Sequence, residues 1–133
     1  MRSRPLICIA LGAAALTGCG SDHGSNGSKY DGQKAEVAAV IDSLGNAARD
    51  GAGTRICQDI FTSNLRISVT RAAHQPCADE VTQNVFNKET KYAVEDLSVI
   101  GDQATARVKD QKDRTSVLLL QKAGGRWRIA RIG

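Results

Sequence analysis

From Val94 to Ile132 the chain alternates and turns as an antiparallel sheet does. Ala104, Ala106 and Val108 alternate with Thr105, Arg107 and Lys109, which is period two with one polar face. Leu97 and Val99 make a similar pattern before Gly101-Asp102 breaks the run. Asp110 to Asp113 is a polar turn. Val117 and three consecutive leucines, Leu118 to Leu120, form a strand apolar on both faces, which places it centrally. Gly124-Gly125 supplies the positive φ that a two-residue hairpin requires. The closing strand sets Trp127 and Ile129 against Arg126 and Arg128. Turns this short leave no room for crossover helices, so neighbouring strands are antiparallel.

The segments before the sheet are helical, and their apolar faces need it as a partner. Val37, Val40, Ile41 and Leu44 follow i, i+3, i+4, i+7, which predicts a helix over about Gln33 to Ala48. Asp31 is its expected N-cap and Gly51 its stop. A short helix carries Ile56, Cys57, Ile60 and Phe61. Thr62 can cap a third, with Leu65, Val69 and Ala72 inward; its β-branched residues make a strand the alternative. His74-Gln75-Pro76 ends that segment, because the residue before proline is pushed from helical geometry. Cys77, Val81 and Val85 then resume helical spacing. The predicted class is α+β, with N-terminal helices packed on a curved antiparallel sheet over residues 33–133.

The first 18 residues have a different character. Arg2 and Arg4 precede an apolar run from Leu6 to Leu16, too short to span a bilayer of ~30 Å. Leu16-Thr17-Gly18-Cys19 follows. This stretch resembles the lipobox signal peptide of bacterial lipoproteins. The resemblance implies cleavage before Cys19 and a diacylglycerol on its sulfur. Two acyl chains give stable anchoring where one does not. The expected location is the cell membrane, lipid-anchored on the extracytoplasmic face. Gly20 to Gly32, rich in Gly, Ser and Asn, reads with Cys19 as a flexible tether (residues 19–32) with an r.m.s. reach of ~20 Å. His23 lies within it without partner ligands nearby.

Cys57 and Cys77 are the cysteines of the domain itself. An exported chain meets an oxidising compartment, where such a pair reads first as a structural disulfide. A redox pair and a metal site are the alternatives. The first usually wants CxxC and the second two further ligands at short spacing. Charge argues for little. Of the formal +4, Arg2 and Arg4 leave with the leader, and 16 basic residues then face 14 acidic. That balance is too mild and mixed to imply nucleic acid.

EVAAVIDSLGNAARDGAG, then ICQDIFTSNL, Cys77 in a following helix, VIGDQATARV and a terminal GGRWRI occur in that order. Over Glu36 to Ile132 the domain is similar to the NTF2-like superfamily, of cystatin-like fold. It most resembles the small NTF2-like lipoproteins of actinobacterial envelopes. The resemblance implies a cone of curved sheet around helices, holding an apolar ligand pocket in many members. Tyr92 and Trp127 are the candidate pocket-lining residues. Trp127 reads first as a core anchor, and Tyr92 and Asp96 as strand-edge residues. Enzymes of the superfamily place Asp, His or Tyr inside the cone. Here the one domain histidine, His74, reads as a turn residue.

No Gly-rich phosphate loop, nucleophile with a base or metal-ligand cluster is legible, so no catalytic residue, metal or cofactor is assigned. Arg107, Lys109, Arg126 and Arg128 could share a sheet face that meets anionic headgroups or an acidic partner. A solvated face is the plainer reading. The expectation is a membrane-anchored binding module for a small apolar ligand or an envelope protein. The alternative is an enzyme acting on a small hydrophobic substrate within the cone.

Overall fold

The computed structural model describes residues 26–133. The leader, Cys19 and His23 lie outside the described residues. A 3₁₀ turn (Asn26–Lys29) precedes α1 (Gly32–Arg49). Then come α2 (Gly53–Arg55), which widens into a π-turn (Ile56–Ile60), and α3 (Ser63–Ala73). The last helix, α4 (Cys77–Glu80), widens likewise into a π-turn (Val81–Val85). Strands β1 (Ala93–Ile100), β2 (Gln103–Lys109), β3 (Thr115–Ala123) and β4 (Arg126–Ile132) form one antiparallel meander in sequence order.

The turns follow from residues that accept positive φ. Gly101 (58°), Asp113 (59°) and the Gly124-Gly125 pair (60° and 77°) reverse the chain between strands. One extra residue, Glu95 in β1 and Ala130 in β4, interrupts the pairing with the neighbouring strand. Such bulges bend the strand that carries them. The inner face is Val94, Leu97, Ala104, Ala106, Val108, Leu118, Leu120, Trp127 and Ile129, all buried. Leu119, between two buried leucines, is half-buried on the outer face.

Helix α1 lays Val37, Ala38, Ile41, Leu44, Ala47 and Ala48 on that face. Asp31 occupies the N-cap position but makes no side-chain cap bond, and Gly51 turns the chain at φ 66°. Thr62 caps α3 as expected: its Oγ1 accepts from Leu65 N at 3.2 Å. The helix reading therefore stands over the strand alternative. Leu65 and Val69 are half-buried but Ala72 is exposed, and no residue of α3 is fully buried. His74 ends it in the left-handed region at φ 55°.

Two further expectations are corrected. After Val81 the buried residue is Phe86, not Val85, which is 50% exposed. The cause is the π-turn. Phe86 N donates to Val81 O at 2.8 Å, a five-residue step that advances the inward face by one position. The second correction concerns Gly20 to Gly32, expected as coil throughout. Asn26 is buried, and its amide bridges elements distant in sequence. Nδ2 donates to Asp42 Oδ1 and to Tyr92 O, both at 2.7 Å, and Oδ1 accepts from Val94 N at 2.9 Å. Gly27 N adds a bond to Asp42 Oδ2. Asp42 of α1 is thus half-buried under this turn. Asn26→Ala should lower the unfolding free energy by about 1–3 kcal/mol in a urea titration, because Val94 N–H loses its acceptor.

Candidate functional site

The interior between α1 and the sheet is filled. Phe61, Ile41, Leu44, Ile56, Leu118, Leu120 and Ile129 are all under 2% exposed and occupy the space where a cone pocket was expected. The larger cleft lies outside it, among the helices.

That cleft has a volume of about 810 Å³ and runs between α3 and the start of α4. Its floor is the Cys57–Cys77 disulfide, whose Cα atoms are 6.2 Å apart. The bond joins the π-turn of α2 to the first residue of α4. Both sulfur-bearing residues are buried. The backbones also approach closely here. A Cβ on Gly53 would lie 2.3 Å from Ala78 O, so glycine is required for α2 to touch α4. One wall is α3. Ile67, Thr70, Arg71 and His74 follow i, i+3, i+4, i+7 and so share a face, opposite Leu65 and Val69. Pro76 and Ala78 supply apolar surface on the other side.

Trp127 and Tyr92 are not brought together. Trp127, paired with Lys122, stands at the β3–β4 hairpin end of the sheet. It is buried, as expected of a core anchor, and its edge lines a smaller cleft of about 350 Å³ with Glu36, Arg55, Asp59 and Arg126. Its Nε1 donates to Glu36 Oε2 at 3.2 Å, and Lys122 Nζ lies 5.8 Å from its ring centroid. Tyr92 lines neither cleft. It precedes β1 at the opposite end, by the β2–β3 turn. Burial, and secondarily the Asp110 carboxylate, push its hydroxyl above the usual tyrosine range; Arg114 partly opposes this. Desolvation acts to raise the Asp110 carboxyl. It is outweighed by bonds from Arg114 N, the Arg114 side chain and Lys112 N, so Asp110 is held below the usual carboxylate range. Tyr92 and Asp110 thus meet beside the β2–β3 turn, away from both clefts.

The basic sheet face does not assemble as one surface. Glu95 lies 3.6 Å from Arg107 Nε and 3.2 Å from Lys109 Nζ. Arg128 Nη1 donates to Gln58 O at 2.7 Å and Phe61 O at 3.4 Å, closing the carbonyl end of the α2 π-turn. Arg126 faces the smaller cleft. Asp96 is exposed at the β1 bulge, where its Oδ1 accepts from Leu97 N. His74, read as a turn residue, is one, but it also rims the larger cleft. Among the described residues no helix is long and apolar enough to cross a membrane.

No protein-family model matches the chain, and no curated protein matches it. A solved structure does. It is an NTF2-like protein of unknown function from Shewanella baltica, 18% identical, with a TM-score of 0.52 over 73% of this chain and 87% of that one. Helices leading into a four-stranded antiparallel meander, together with that match, identify the fold as NTF2-like.

Proposed function

We propose that this chain is a lipid-anchored extracytoplasmic lipoprotein of actinobacterial type. Its NTF2-like domain binds a small ligand and performs no catalysis of its own. The observation that carries the binding reading is the contrast between a filled interior and an open cleft. A cone enzyme needs room for its substrate inside the sheet, and Phe61, Leu44 and Leu118 occupy that room. The cleft floored by Cys57–Cys77 has the size usual for small-molecule sites, about 300–1,000 Å³. The lipobox resemblance around Cys19 supports the anchor.

Two measurements test the two halves. Cys19→Ala should move the protein from the membrane to the soluble fraction; unchanged retention defeats the anchor. Native mass spectrometry of the protein from its own cells should show a non-covalent small-molecule adduct. Ile67→Trp, which fills the cleft from its wall, should remove that adduct. A wild-type spectrum without one turns the reading toward docking of an envelope protein.

A further inference from the structure

We propose that the helical cleft takes a small amphipathic anion, an acidic head on a short apolar tail, with Arg66 and Arg71 receiving the head. This rests on the small-ligand reading above and specifies its chemistry. The lining residues include Arg66, Arg71 and His74 and no aspartate or glutamate. The smaller cleft, by contrast, balances Arg55 and Arg126 with Glu36 and Asp59. Among the described residues neither Arg66 nor Arg71 forms an ion pair, whereas Arg107 and Arg114 each do. On α4, Glu80 accepts from Gln75 Nε2 and Asn84 Nδ2.

The tail has its own surface. Ile67 is 49% exposed on the cleft wall, a large apolar side chain left in water by a helix that buries nothing fully. The disulfide floor continues that surface, and Pro76 and Ala78 carry it to the opposite side. An apolar surface with Arg66 and Arg71 among its lining residues matches a ligand of the same division. The guanidinium forks present paired N–H donors to two oxygens of one acidic group, and such bonds are about twice as strong as neutral ones. A neutral ligand of equal length would gain the floor and lose the forks.

The test uses the full chain in phosphatidylcholine nanodiscs and photo-crosslinking mapped by mass spectrometry. Two probes carry the same diazirine-bearing decyl tail, one ending in a carboxylate and the other in an alcohol. The carboxylate probe should label the α3–α4 segment about tenfold more strongly, the ratio set by one charge-assisted hydrogen bond. Excess decanoate should compete it away. Arg66→Gln combined with Arg71→Gln should abolish the preference without moving the melting temperature, since neither side chain is buried. Arg126→Gln, in the smaller cleft, should change nothing. Equal labelling of this segment by both probes overturns the anion and leaves small-ligand binding standing. Labelling of this segment by neither probe overturns both. A carboxylate preference that survives the double arginine variant overturns the assignment of the head to Arg66 and Arg71.

Discussion

Phe61→Ala is expected to lower the unfolding free energy by about 3–5 kcal/mol, measured by urea titration. That is a large part of the 5–15 kcal/mol typical of a domain. The ring is 1% exposed and hangs at the joint between the helical layer and edge strand β4. Its N–H donates to Ile56 O at 2.8 Å, and its carbonyl accepts from Arg128. Phe61 also bridges Ile129 in parallel, and Thr62 N donates to Ile129 O at 2.9 Å. Backbone held on both sides cannot collapse into the space the ring leaves. The cavity term therefore adds to the transfer term, and the upper half of the range is expected. Ile67→Ala, on the exposed face of α3, should stay within about 0.5 kcal/mol. A loss for Phe61→Ala below about 1.5 kcal/mol would mean that the interior is not filled as described.

Period two is the signal that survived folding best, because strand faces are decided locally. In β2 the alternation of Ala104, Ala106 and Val108 with polar neighbours became alternating burial without a slip. Leu118 and Leu120 went inward and Leu119 stayed half-covered, as a central strand demands. Helical spacing was less dependable. Counting four residues from Val81 reaches Val85; the π-turn makes the fifth residue, Phe86, the buried one. That widening has no local sequence signature. Asn26 misled for a related reason. Gly, Ser and Asn around it describe a coil, yet its amide finds partners at Asp42, Tyr92 and Val94. Composition reports what a segment can do alone, and these bonds exist only when helix and sheet are already docked.

The candidate site was legible in part. Cys57 and Cys77, the two cysteines among the described residues, are joined in the fold, as their even count suggests. The chemistry of Tyr92 and Trp127 marks them as pocket-lining candidates, but register puts them at opposite ends of the sheet. The cleft wall did leave a trace. Ile67, Thr70, Arg71 and His74 recur at helical spacing on the face opposite Leu65 and Val69. An isoleucine among cations on a helix's outer face is a signal for a second contact, and attention to the inward stripe alone passes over it.

Replacing Cys57 and Cys77 together by Ala should cost ~3 kcal/mol, from the loop entropy released when residues 20 apart are no longer joined. For a domain of this size that corresponds to a fall of about 12–24 °C in melting temperature. The loss should be uneven. Between the two cysteines lies α3, which buries no residue fully and packs on the core through half-buried Leu65 and Val69 alone among its large apolar residues. The bond and the Gly53–Ala78 backbone contact fix its ends from α2 and α4. Without the bond, α3 should open at lower cost than the sheet, seen as faster amide exchange over Ser63–Ala73 while β2 and β3 stay protected. The same bond floors the cleft, so the carboxylate probe should lose its grip in step with α3 opening. A double variant that melts within about 3 °C of wild type would show that packing alone fixes α3. Thiol labelling of the folded wild type without reductant should leave both cysteines unmodified.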